Sequence, residues 1–207
     1  MSKQLGSIPF SLPDSKLGFP LTMGAKKETI FRNYQLGEVT DQGPNGTCVD
    51  YCLRGLLAAE PISQNPCKPL EIYKAARKLG KTPDDVEGSQ LNYAVDYLIS
   101  KNIVKKDYWT NDADQVALYL NTISPIVMTI PWYERMNKTE KDGRILCNGN
   151  PIGFHAILGF RYDGLKDRIW LRNSWGKDFG INGNGYVTMK DLAKLMNKGG
   201  LACALVE

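Results

Sequence analysis

Gln42-Gly43-Pro44-Asn45-Gly46-Thr47-Cys48 runs directly into Val49-Asp50-Tyr51-Cys52-Leu53-Arg54-Gly55-Leu56-Leu57. The first seven residues carry turn chemistry: glycine supplies positive φ, proline fixes φ, and asparagine tolerates tight turns. From Cys48 onward the texture changes. Val49, Cys52, Leu53, Leu56 and Leu57 recur at the spacing of one apolar helical face, and Pro61 ends the run. The passage therefore sets a cysteine at the N-terminus of a buried helix. Unpaired N–H groups and the positive end of the helix dipole stabilise an anion there, so the thiol is expected to have a lowered pKa. A free cysteine is more often a small buried hydrophobe, and only partners would turn this one to chemistry.

Downstream, Pro69 suits a first helical turn, and a helix is expected from there to Gly80. Ser89 is placed to cap a third, in which Leu91, Ala94, Val95, Leu98 and Ile99 form the apolar face. A weaker fourth helix spans about Asp112 to Thr122. After Pro125 the pattern turns to strands: Ile126–Ile130, Ala156–Phe160, Ile169–Leu171 and Gly185–Met189. A short helix from Lys190 to Asn197 and a last strand from Leu201 to Val206 follow. Helices first and strands afterwards indicate an α+β fold with segregated halves. Residues 1 to about 35, with Pro9, Pro13, Pro20, Gly6, Gly18 and Gly24, read as an extended or irregular arm.

The chain has a single histidine, His155, which opens the apolar strand Phe154-His155-Ala156-Ile157-Leu158. A lone histidine on a strand is commonly a satisfied core residue, but a nucleophilic cysteine needs a base, and histidine is the usual one. In Leu171-Arg172-Asn173-Ser174-Trp175-Gly176, the Asn173 amide can accept the imidazole's other N–H and fix its orientation, with Trp175 shielding that bond from water. Gln42 carries an amide donor that can join the Cys48 backbone N–H in binding an oxyanion. Taken singly, Gln42 is an ordinary turn residue and Trp175 an ordinary core residue.

Gln42 through Cys48, then Phe154-His155-Ala156, then Asn173-Ser174-Trp175-Gly176, resemble the papain family of cysteine peptidases, in that family's chain order. The likeness covers roughly residues 30–207 and includes Gly180-Ile181-Asn182-Gly183 with Gly185-Tyr186-Val187, similar to the family's glycine-rich turn and closing strand. It implies a papain-like two-lobe α+β fold with a cleft between a helical lobe and a sheet or barrel lobe. It also implies peptide-bond hydrolysis through a Cys48 thioester, with His155 as acid and base, Asn173 orienting it and Gln42 at the oxyanion. Gly88-Ser89 resembles the family's glycine segment that pairs with substrate backbone, so Gly88, Ser89 and Trp175 are the expected substrate-binding residues. The expected organisation is an arm or short pro-segment over 1–35 and a catalytic domain over 36–207, with a helical lobe at about 45–122 and a β lobe at about 123–207.

The departures from the family carry information. Asn45 stands where secreted members have a disulfide-forming cysteine, Val49 replaces a tryptophan, and Phe179 stands where a tryptophan is usual. The turn after Asn173 is about two residues longer. Cys48 and His155 are 107 residues apart, below the ~130–150 typical of papain and cathepsin types. The pattern suits a compact prokaryotic or viral branch. The 47 residues before Cys48 allow an inhibitory strap, a partner-binding arm or mere packing.

The remaining composition narrows the classes. Over 207 residues the net charge is +4, with basic residues scattered in pairs such as Lys26-Lys27 and Lys105-Lys106. That pattern argues against a nucleic-acid partner. No segment has the apolar length of a membrane span. Five cysteines, odd in number and without CxxC, argue against a zinc site, and neither a metal nor an organic cofactor is expected. Met1 to Ser7 lacks the pattern of a secretory signal, and a glycan on the Asn45-Gly46-Thr47 sequon would cover Cys48, so a reducing, cytoplasmic setting is expected. The expected partner is a peptide or protein substrate. Two rival readings remain: a peptidoglycan-directed amidase or endopeptidase, and a catalytically silent peptide-binding module.

Overall fold

The computed structural model describes residues 4–17, 32–64 and 67–207. The elements run α1 (Cys48–Leu57), α2 (Pro69–Leu79), α3 (Leu91–Ser100), β1 (Lys106–Thr110), α4 (Ala113–Thr122), β2 (Ile126–Tyr133), β3 (Pro151–Asp163), β4 (Arg168–Arg172), β5 (Asn184–Thr188), α5 (Met189–Asn197) and β6 (Leu201–Val206). The strands form one open antiparallel sheet in the order β1-β6-β2-β3-β4-β5. The fold is α+β, a helical part set against a sheet.

Strand alternation divides the core into two clusters. Trp109, Val127, Ala156, Leu158, Cys203 and Leu205 point to the face covered by α1, α2 and α3. Ile126, Met128, Ile130, Trp132, Ile157, Ala202 and Ala204 point to the other face, against α4 and α5. Successive strand residues face opposite ways, so β2, β3 and β6, buried on both faces, read as unbroken apolar runs. Leu53, fully buried on α1 in the first of these clusters, illustrates the energetics: truncating such a leucine to alanine costs about 2–5 kcal/mol.

Three expectations need correction. β1 has too few apolar residues to announce itself, and its burial comes from pairing with β6. Residues 106–122, expected on the helical side of the boundary, instead supply an edge strand and a helix, α4, packed into the sheet's other cluster. Ser89 does not cap α3. Gln90 is the N-cap, without a side-chain bond, and the Ser89 hydroxyl donates instead to Asp50 Oδ2 at 3.2 Å. Gly18, Pro20, Gly24, Lys26 and Lys27 of the arm lie outside the described residues. The described part of the arm has only one short 3₁₀ turn, Asp14–Lys16. Among the described residues no helix is long and apolar enough to cross a membrane.

Candidate active site

Cys48 is the first residue of α1, and α1 lies against β3 where that strand lacks a neighbour on one side. Pairing of β3 with β4 begins only at Leu158, which leaves the backbone edge of Ala156 open. Two thiols from α1, one turn apart, satisfy it: the Ala156 N–H donates to Cys48 Sγ at 3.4 Å, and Cys52 Sγ donates to the Ala156 carbonyl at 3.1 Å. The Cys48 sulfur is thereby held one residue from His155.

His155 Nε2 lies 2.8 Å from Asn173 Oδ1. That oxygen also accepts the Ser174 backbone N–H at 2.8 Å, which identifies it as the accepting end of the amide. Nε2 therefore carries the proton, and Nδ1 keeps the ring's lone pair. Nδ1 is buried with no hydrogen-bond partner. The ring is enclosed by two indoles, Trp132 at 4.6 Å and Trp175 at 4.7 Å between centroids, and Phe179 packs edge-on against Trp175 at 5.5 Å. Burial lowers the His155 pKa to about 4 against the pull of the Asn173 bond.

Residues 40–42 pair with 174–176: the Gln42 N–H donates to the Ser174 carbonyl and the Gly176 N–H to the Thr40 carbonyl. This brings the Gln42 side chain to the site. Its Oε1 accepts from Ser174 Oγ at 2.6 Å, which fixes the amide, and Nε2 donates to the carbonyls of Asn45 at 2.7 Å and Gln4 at 3.1 Å.

Gln4 belongs to the N-terminal arm, which crosses directly over the site. The Ser89 N–H donates to the Gly6 carbonyl at 2.9 Å, and the Ile8 N–H donates to the Ser89 carbonyl at 3.0 Å, a parallel bridge between Ser7 and Ser89. The Gly6 N–H points at the Cys48 sulfur together with those of Ala156 and Val49. Cys48 and His155 have no solvent exposure and Gln42 is 3% exposed. The expectation of a lowered thiol pKa is overturned here: burial pushes Cys48 up to about 11, more than the three N–H groups pull it down, and the nearby Asp50 adds to the rise.

The structure thus brings Cys48, His155, Asn173 and Gln42 together. Gly88 and Ser89 lie along the arm, and Trp175 lies on the imidazole. Sequence reasoning missed four participants. Cys52 and Ser174 hold Ala156 and Gln42. Trp132 continues β2 beyond Pro131, two residues past Ile130, the partner of His155. Asp50, fully buried with Oδ1 unpartnered, is pushed by burial to about 8. A carboxylate two residues after the cysteine on an otherwise apolar helix face was the available signal for Asp50. Among the described residues, no group of three or more His, Cys, Asp or Glu side chains is placed to hold a metal ion.

No family model matches the sequence, and no curated protein matches it in sequence. Solved structures do match. Xylellain, a cysteine protease from Xylella fastidiosa, is similar at a TM-score of 0.76 and 16% identity, over 98% of this chain and 95% of its own. A digestive procathepsin L 3 from Tenebrio molitor larval midgut matches at 0.68 and 16%, over 93% and 74%. The bromelain protease of Ananas comosus, in complex with the E64 inhibitor, matches at 0.62 and 12%, over 83% and 94%. The chain has the papain-like fold.

Proposed function

We propose that this chain is a cysteine peptidase acting on peptide or protein substrates, with residues 36–207 as its catalytic unit. The Cys48 sulfur attacks a peptide carbonyl carbon while His155 Nδ1 takes the thiol proton. The resulting oxyanion is bound by the Cys48 backbone N–H and Gln42 Nε2. When the C–N bond breaks, His155 returns the proton to the leaving amine, and water then hydrolyses the thioester with His155 again as base. Asn173 keeps the imidazole in the tautomer that leaves Nδ1 basic.

The observation that carries this reading is the bond from His155 Nε2 to Asn173 Oδ1, which leaves Nδ1 unpartnered one residue from the sulfur bound by Ala156. The similarity to xylellain, a cysteine protease, and to the bromelain protease supports the reaction class. The test is a zymogram of the full chain and its Cys48→Ala variant on gelatin and on purified peptidoglycan. Clearing of gelatin that the variant lacks supports the reading. Clearing of peptidoglycan alone moves it to a wall-directed amidase, and no clearing of either overturns it.

A further inference from the structure

We propose that Glu87 is a positioning residue for the oxyanion donor Gln42, acting through the Asn45–Gly46 peptide group, and that Arg77 holds Glu87 in place. The inference rests on the reading of Gln42 as that donor.

One peptide group links the two side chains. Its oxygen, the Asn45 carbonyl, accepts Gln42 Nε2 at 2.7 Å and the Thr47 N–H at 2.9 Å. Its nitrogen, that of Gly46, donates to Glu87 Oε1 at 2.5 Å. The C=O and N–H of a trans peptide lie in one rigid plane and point opposite ways. An anchor on the N–H therefore fixes the direction of the carbonyl, and with it the tilt of the Gln42 amide. Ser174 Oγ holds the other end of that amide at 2.6 Å. Because the acceptor is a carboxylate, the Gly46 bond is charge-assisted and about twice as strong as a neutral one. Glycine permits the close approach: a Cβ at position 46 would lie 2.8 Å from Glu87 Cγ and 3.1 Å from its Oε1. The same turn leads through Thr47, the N-cap of α1, directly into Cys48.

Glu87 is on an exposed loop, where ordering a long side chain costs rotamer entropy. The loop is braced from α2 against that cost. Arg77 Nη1 donates to the carbonyls of Val86 and Gly88, the residues on either side of Glu87, the second at 2.9 Å. Its Nη2 donates to the Pro83 carbonyl at 2.6 Å. The Tyr73 ring, one turn earlier on α2, lies 5.4 Å from the guanidinium carbon. Three carbonyls met at once by a planar fork is a task for arginine that an ammonium does not reproduce. The loop is tied at its far end as well, where Ser89 Oγ donates to Asp50 Oδ2 at 3.2 Å. It thus grips the chain two residues before Cys48, at Gly46, and two residues after it, at Asp50.

The experiment measures kcat and KM on dye-labelled casein for the full-length parent, Glu87→Ala, Glu87→Gln, Arg77→Lys and Gln42→Ala. Glu87→Ala and Arg77→Lys are also each combined with Gln42→Ala, and hydrogen exchange of residues 43–48 is followed by mass spectrometry. Glu87→Ala is expected to lower kcat about tenfold, part of the ~10²-fold that an oxyanion donor is worth, with KM within about twofold of the parent. Glu87→Gln keeps an accepting oxygen and should recover most of the loss, whereas Arg77→Lys should lose kcat in the same sense. In the Gln42→Ala background, Glu87→Ala should cost nothing further, because the residue it acts through is gone. A role in stability alone would leave the two losses additive. Additive losses, or parent-like kcat in Glu87→Ala, overturn the proposal and leave the peptidase standing. Should Glu87→Ala not fold, Arg77→Lys in the two backgrounds decides by the same criterion. If the parent leaves casein uncut, the peptidase reading falls and exchange decides. Faster exchange over 43–48 in Glu87→Ala, with residues 52–57 unchanged, supports the hold on Gly46, and parent-like exchange overturns it.

Discussion

The Cys52 thiol donates to the carbonyl of Ala156 across the gap where β3 has not yet met β4, at 3.1 Å. With the Cys48–Ala156 bond beside it, this contact fixes where β3 delivers His155. Cys52→Ala leaves that buried carbonyl unsatisfied, at a cost of about 1–3 kcal/mol in unfolding free energy. It should also lower kcat on casein by letting His155 shift. Cys52→Ser, which keeps a donor, should recover part of both losses. Equal kcat and stability in all three proteins would show that the contact positions nothing.

The four site residues should differ in how much they matter. Cys48→Ala abolishes turnover without unfolding the chain. His155→Ala lowers kcat by about 10²–10⁴, the usual worth of a general acid–base. Asn173→Ala lowers it less, because it orients the base without moving the proton itself. Gln42→Ala costs on the order of 10²-fold, as for loss of one oxyanion donor. Steady-state kinetics on casein peptides checks the order, and a silent Gln42→Ala would move the oxyanion site elsewhere.

Asp50 makes stability depend on pH in an unusual sense. Its ordinary value is 3.8, and burial raises it to about 8 in the folded chain. Between those values the folded state keeps a proton that the unfolded state has lost, so this carboxyl's contribution to stability falls as pH rises across that window. Asp50→Asn keeps the acceptor for Ser89 Oγ and removes the titration. Its Tm advantage over the parent should grow from pH 5 to pH 8 in thermal melts. A constant or shrinking difference would mean that Asp50 is ionised in the folded protein.

All five cysteines are free thiols. Reductant should therefore leave Tm unchanged, and denatured protein prepared without oxidant should titrate five thiols per chain. Three thiols, with a Tm that drops on reduction, would overturn this.

What was legible in the sequence was what repeats. The helical faces of α1, α2 and α3 and the apolar runs of β2, β3 and β6 announce themselves because their burial follows from period alone. The turn before Cys48 and the Asn173-Ser174-Trp175-Gly176 segment announce the site. β1 was not legible, because Lys106, Asp107 and Tyr108 owe their order to a partner strand almost a hundred residues later. Nor was the seat of Gln4 to Ile8, which is held through the segment's own backbone groups and so leaves no signature in its side chains. The thiol's pKa misled because a helix N-terminus lowers it, whereas full burial, which the sequence pattern does not announce, raises it further.

The two indoles around His155 make the site visible without a label. Trp132 and Trp175 stand within 5 Å of an imidazole that is neutral while buried. A protonated imidazole quenches indole emission far better than a neutral one. Trp109 and Trp170 lie outside this cage, on β1 and β4, and supply a constant background. When water reaches the ring and it takes up a proton, the intrinsic fluorescence should dim. Stopped-flow emission after mixing into pH 5 buffer would then time the exposure of the site in an unmodified chain, from a single mixing experiment and before any bond has been cut.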